Sequence, residues 1–300
     1  MIHFHEKRNA FSSIFGSLSG SDSSSSSSSE EEEEPGRATS GPLCDHGSVE
    51  GCTEHRFLHR DDRVVLHQDR MKGIAFQLWP AAVQMCQYLE TSFAYVLKCV
   101  GDVQNRRDVD VILSSTDIRA YKPPHVNVLE LGAGIGLVGI FASILFGKHD
   151  ISAHIIITDL PEAMIIIDRN IQANSDCNTF NRKTAALPLP WGDVPAAEAV
   201  LAEFGQAPAP LLVLLADCVY WEHLFAILYD TLHHLATHRN AVILMSHTRR
   251  WKKDNKFFKM CKKSLNVVML KEEVSHKGGG EEEGACSRRI VKRIYLMYRK

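Results

Sequence analysis

The run Val128-Leu129-Glu130-Leu131-Gly132-Ala133-Gly134-Ile135-Gly136 places three glycines after an apolar stretch and before a helical one. Glycine takes backbone dihedrals closed to other residues and lets a ligand approach without interference from Cβ. At the carboxyl end of a buried strand, such a turn is a ligand site. Glu130 lies two residues before the first glycine, where a carboxylate can meet a ligand ammonium directly or through water. Asp159 closes the next apolar run, where its two oxygens can accept ribose hydroxyls. Asp217-Cys218-Val219-Tyr220 follows the most apolar run of the chain, so Asp217 and Tyr220 should emerge beside the glycine turn. A carboxylate there can hydrogen-bond a nucleophilic amine and aim its lone pair; the same Asp would also serve as cap of the following helix.

Two nucleotide cofactors match this pattern. Gly134-x-Gly136-x-x-Gly139 satisfies the dinucleotide fingerprint, with Asp159 twenty residues beyond Gly139. S-adenosyl-L-methionine also matches, and Glu130 favours it: an acid there suits the ammonium of a methionine moiety and would repel a pyrophosphate. Asp159 can hold the ribose of either. S-adenosyl-L-methionine is therefore the expected cofactor and a nicotinamide dinucleotide its rival, with His247 available to such an oxidoreductase as a proton donor. No cysteine or histidine spacing matches a metal site.

The elements that must position these residues alternate. Residues 126–131, 154–158, 211–216 and 241–246 are near-continuous apolar strands, and 184–187 is a weaker one. Helices are expected over 136–146, 161–173, 222–235 and 252–262. This is the pattern of a parallel sheet covered on both faces. Two late strands, 266–271 and 289–298, have no helix between them, so the last should enter antiparallel. The expected fold is α/β: a seven-stranded Rossmann-like sheet, mainly parallel with an antiparallel last strand and helices on both faces. Upstream, 64–66 and 74–76 read as a hairpin or two linked strands. Trp79-Pro80 then opens a helix over 81–100 with apolar residues at helical spacing. Residues 101–124 read as a surface insertion.

Apolar residues make up 45% of the 300, enough for a sizeable core, and the net charge is −2. The charge is uneven. Residues 1–54 hold ten acidic against three basic residues, with a serine run at 23–29 followed by five glutamates. Residues 1–55 are read as a disordered leader, having little to bury against the entropy of ordering; 56–300 are read as the folded domain. The mildly basic remainder suits an acidic partner without requiring nucleic acid, since no aromatic-basic stripe stands out beyond a cluster at 252–263 that suits a solvated helix face. The eight cysteines form no CxxC pair, so a reducing compartment, cytoplasm or nucleus, is expected. The first ten residues lack the apolar stretch of a signal peptide and no run is long enough to cross a bilayer, so no membrane partner is expected.

The motifs Glu130 to Gly136 (ELGAGIG), Thr158 to Leu160 (TDL), Pro190 to Gly192 (PWG) and Asp217 to Tyr220 (DCVY) resemble those of the family-16 seven-β-strand methyltransferases. That family includes the lysine methyltransferases marked by an Asp-x-x-Tyr motif. The segment Gly73 to Leu89 (GIAFQLWPAAVQMCQYL) is similar to the family's pre-core segment, and the likeness spans roughly residues 60–300. The resemblance implies an enzyme that methylates a lysine of a protein substrate; a monomer is expected. It implies that Trp79 contacts the cofactor and that Gly132, Ala133 and Gly134, with Gly136 behind them, cradle its methionine end. It implies Asp159 at the ribose, Trp191 beside the adenine, Ala216 on the pocket floor, and Asp217 and Tyr220 facing the substrate. Thr248-Arg249-Arg250 and Phe257-Phe258 resemble the arginine and paired aromatics found after the fifth strand. As residue types, Trp79 and Trp191 equally suit a core. The leader and the insertion are departures from the family pattern. A non-catalytic cofactor-binding adaptor and a small-molecule methyltransferase stay open beside the main expectation.

Overall fold

The computed structural model describes residues 52–56, 63–105, 122–181, 183–205, 209–277 and 288–300. Residues 1–51 of the expected leader and 106–121 of the expected insertion lie outside the described residues. An antiparallel pair, β1 (Cys52–Arg56) and β2 (Arg63–His67), comes first. Seven further strands form one sheet: β3 (His125–Leu131), β4 (Ser152–Asp159), β5 (Thr184–Pro188), β6 (Leu211–Ala216), β7 (Val242–Arg249), β8 (Leu265–Lys277) and β9 (Arg288–Arg299). The helices are α1 (Pro80–Gln104), α2 (Leu137–Lys148), α3 (Met164–Asn174), α4 (Val194–Ala202), α5 (Phe225–His238) and α6 (Asp254–Ser264). None is long and apolar enough to cross a membrane.

The sheet order is β5-β4-β3-β6-β7-β9-β8. Strands β3 to β7 pair in parallel, and β9 runs antiparallel to both β7 and β8. The chain moves outward from β3 to β5, then returns to the other side of β3 for β6. At that reversal the connections leave in opposite directions, and a crevice opens at the carboxyl ends of β3 and β6.

Alternation along each strand explains why the strands read apolar throughout. Val126, Val128, Ile155, Ile157, Leu212 and Leu214 face a core shared with Met85 and Leu89 of α1, Ile140 and Phe141 of α2 and Ile167 of α3. Their neighbours Leu129, Leu131, Ile156, Val213 and Leu215 face a second core with Leu228 and Leu232 of α5 and Phe257 of α6. Both faces are buried, so neither can be polar.

The structure departs from the sequence reading upstream of the sheet. Residues 74–76 form a 3-10 turn (Ile74–Phe76), not a strand. β2 pairs instead with β1, whose polar sequence CTEHR hid it and which takes four residues of the expected leader. Helix α1 runs on to Gln104, with Asp102 and Val103 buried, so the start of the expected insertion belongs to the core. Helix α4 was not foreseen, although its signals are ordinary: Asp193 accepts the Ala196 N–H at 3.0 Å and a proline sits in the first turn.

The β1–β2 pair is tied to the domain by two asparagines of α3. The Asn174 amide takes the N–H of Val65 at 2.9 Å and donates to its carbonyl at 2.8 Å. Asn170 does the same for His67, at 2.6 and 3.0 Å, and donates also to the carbonyl of Ile135 in the glycine loop at 2.8 Å. The two side chains thus imitate a neighbouring strand. Asn170 is fully buried, so its loss strands several backbone groups at once. Asn170→Ala is expected to lower the unfolding free energy by about 2–4 kcal/mol in urea titration; a loss below about 0.5 kcal/mol would show that water replaces the amide.

Candidate active site

The first strand of the parallel sheet ends in a turn that strongly favours glycine. Gly132, Gly134 and Gly136 have φ of 61°, 59° and 82°, all in the left-handed region. Contacts add a second constraint at Gly132: a Cβ there would lie 2.7 Å from Cζ2 of Trp191 and 2.9 Å from Sγ of Cys218. Gly134 faces the 3-10 turn, where its Cβ would meet the Ala75 carbonyl oxygen at 3.4 Å. Ala133 donates its N–H to the Thr158 carbonyl at 3.0 Å, which fastens the turn to the end of β4.

Glu130 lies underneath. It is 2% exposed, and its Oε2 accepts the N–H of Gly139 in the first turn of α2 at 2.7 Å. Gly139 allows this because any Cβ would sit 2.7 Å from that oxygen and 2.5 Å from Ile157. One oxygen of Glu130, expected from the sequence to meet a ligand ammonium directly or through water, thus supports the turn from below. Burial raises its pKa to about 8, against the opposing pull of the Gly139 N–H.

Asp159 closes β4 beside the turn. One oxygen accepts the Gly134 N–H and the other its neighbour's, from Leu160, both at 2.7 Å. Burial lifts its pKa to about 6 even so. From the end of β5, Trp191 lies across Gly132.

The end of β6 supplies the other wall. Ala216 pairs with Ser246 of β7, and Asp217 follows at φ 62°, a conformation rare for a residue with a side chain. Its N–H donates to the Ser246 carbonyl at 2.9 Å. Its carboxylate is not free: Arg250 grips it with both terminal nitrogens, Nη1 to Oδ1 at 2.7 Å and Nη2 to Oδ2 at 2.5 Å. The guanidinium carbon also lies 5.6 Å from the ring centre of Trp79, whose Nε1 donates to the Ile74 carbonyl at 2.9 Å. Tyr220 packs edge-on to Trp221 at 5.1 Å, and burial raises its pKa well above the ordinary tyrosine range.

The sequence-derived residues therefore converge. Trp79, Gly132, Ala133, Gly134, Asp159, Trp191, Ala216 and Tyr220 are half-buried, the exposure of a pocket wall; Glu130, Gly136 and Asp217 are buried behind them. Among the described residues no group of three or more His, Cys, Asp or Glu could hold a metal ion. Arg250 and Cys218 were not among the candidates, although the sequence reading had noted Arg250 as part of a family-like segment after β7.

Comparison with known proteins agrees with this geometry. A family model described as lysine methyltransferase matches residues 59–264. The chain belongs to the lysine methyltransferase family. Protein-lysine N-methyltransferase EFM6 of Saccharomyces cerevisiae is 31% identical over 204 residues, covering 66% of this chain and 73% of that one. Protein N-lysine methyltransferase METTL21A of Xenopus tropicalis is 30% identical over 206 residues, 68% and 75% of the two chains. EEF1A lysine methyltransferase 3 of the same species is 28% identical over 201 residues, 66% and 69%. This chain is thus a methyltransferase, as the sequence implied.

The buried acid has a measurable consequence for this methyltransferase. Glu130 moves from 4.5 to about 8 on folding, so between those values the folded chain keeps a proton that the unfolded chain has lost. Stability from this residue is present below the lower value and falls as pH rises through the window. Glu130→Gln removes that dependence. The melting temperature of the variant minus that of the parent should therefore grow between about pH 5 and about pH 8. A constant difference would mean that Glu130 is ionised throughout.

Proposed function

We propose that the cofactor is S-adenosyl-L-methionine, held at the crevice between β3 and β6, and that the acceptor is a lysine amine of a protein substrate. The observation that carries this assignment is the contact of Glu130 with the first turn of α2. In dinucleotide folds that helix N-terminus receives the pyrophosphate. Here the Gly139 N–H already meets the buried side chain of Glu130, so a phosphate would find that donor taken. A ligand with an ammonium and a sulfonium suits the place, because positive charge favours the ionised forms of Glu130 and Asp159.

In this assignment Gly132 to Gly134 admit the methionine end, and Asp159 accepts the ribose hydroxyls. Trp191 lies at the adenine, Trp79 closes the mouth and Ala216 forms the floor. When bound, the cofactor supplies an electrophilic methyl group on sulfur. The chain's own residues position the acceptor and exclude water. A lysine amine must be neutral to react, against a free pKa of about 10.4. A buried entry lined by Tyr220, and positive charge close by, both favour the neutral form. Asp217 orients the amine by accepting an N–H. The same proposal places the protein, as a monomer, in a reducing compartment, cytoplasm or nucleus, consistent with the free thiols Cys86, Cys99, Cys177, Cys218 and Cys261.

The test is incubation of the full chain and cofactor-depleted lysate with methyl-labelled S-adenosylmethionine, followed by mass spectrometry of the labelled protein. Label should appear on lysine. Asp217→Asn should reduce the rate roughly 10²-fold, through lost orientation, while S-adenosylhomocysteine binds as to the parent. Label on another residue type, or full activity in Asp217→Asn, would contradict the assignment.

A further inference from the structure

Asp217 and Arg250 pose a problem for lysine chemistry that the structure itself resolves. A bare carboxylate facing the acceptor would attract the ammonium form and, by the same attraction, keep its proton in place. Only the neutral amine has a lone pair to donate. We propose that Arg250 is the counter-ion that lets Asp217 orient the acceptor amine without holding it protonated. This rests on the acceptor position assigned above.

The fork of Arg250 occupies one site on each oxygen of Asp217, at 2.7 and 2.5 Å. An ionised carboxylate offers about four acceptor sites, so room remains for one N–H of a neutral amine. The pair is largely withdrawn from water, with Asp217 3% and Arg250 21% exposed at their side chains. Arg250 is built in rather than merely nearby. Its own N–H and that of Trp251 both donate to Asp254 Oδ2, at 3.1 and 3.2 Å. Asp254 lies in turn 3.3 Å from Nε2 of His247, both side chains 1% exposed. The Trp79 ring covers the guanidinium from the remaining side. Burial alone would make Arg250 easier to deprotonate, but the hydrogen bonds and charge of Asp217, helped by Asp254, outweigh it. The other titratable groups facing the pair are Cys218 and Tyr220, both kept protonated by burial, with Asp159 and Glu130 across the crevice.

The reaction then balances simply. The lysine ammonium loses one proton to solvent on entry. The amine lone pair forms the N–C bond as the C–S bond breaks, its electrons staying on sulfur, and a methylammonium leaves. Arg250 acts through Asp217 and is a positioning residue.

The test reads the pH dependence of the single-turnover methylation rate on the lysate band that the parent chain labels, with chain and cofactor in saturating excess so that the acceptor titrates in the bound complex. The acid limb reports loss of the acceptor proton. Arg250→Gln leaves Asp217 uncompensated, so the limb should move up by about one pH unit, a roughly tenfold rate loss on the acid side. Arg250→Lys keeps the charge and should leave it near the parent's position. Asp217→Asn removes the carboxylate beside a retained cation, so the limb should move the other way. If Arg250→Gln does not fold, Arg250→Met decides it, since that variant also removes the charge while keeping an extended side chain. Equal limbs in the parent and whichever variant folds, with only the plateau lowered, would overturn the proposal and leave Arg250 a structural residue. A parent that labels no band would instead remove the acceptor assignment, and this proposal with it.

Discussion

A carboxylate buried at the end of a central strand must find donors, and a helix starting behind that strand has N–H groups with no carbonyl to meet. In this chain one contact answers both, Glu130 Oε2 to the Gly139 N–H. Much of the local sequence follows from it. Gly139 is small because the oxygen and Ile157 fill the space of a Cβ. Gly136 caps α2 in the left-handed conformation so that the helix can begin directly above the acid. The turn between them must then reverse within a few residues, which takes further positive φ angles at Gly132 and Gly134. The loop is fastened at its rim by Asp159 and at its base by Glu130.

That arrangement also sets the charge of the site. Two acids at neighbouring strand ends sit where burial raises them to about 8 and about 6. An anionic ligand would make the cost of ionising them larger, and a cationic one would lower it. Across the crevice the situation is reversed: Asp217 comes already compensated by Arg250. One wall is therefore prepared for positive charge and the other has its negative charge cancelled. That division suits the proposed transfer from a cation to a neutral amine.

The strands and their order were readable because both sheet faces are buried and the apolar runs are unbroken. The glycine turn was readable for a different reason, since three glycines between a strand and a helix have few other uses. What escaped depended on tertiary contacts. Residues 74–76 have the β-branched and aromatic character of a strand, yet the segment is held as a turn, with the Phe76 carbonyl accepting the Asp69 N–H and the Trp79 indole donating to Ile74. The edge of β2 is satisfied by Asn170 and Asn174, more than a hundred residues away, which no local pattern announces. The contact of Glu130 with α2 was not legible, because it follows from strand alternation: Val126, Val128 and Glu130 share the α2 side. Arg250 was visible only as part of a motif. Its grip on Asp217 depends on the left-handed turn at that aspartate, and propensity does not foretell such a turn.

We propose that the helix start held by Glu130 favours a sulfonium nucleoside over a phosphate. Calorimetric titration of the full chain with S-adenosylhomocysteine, and separately with NAD, tests it most directly. Micromolar binding of the first, lost in Asp159→Ala, and none of the second is expected. Binding of NAD, or binding of neither ligand by a folded protein, would contradict it.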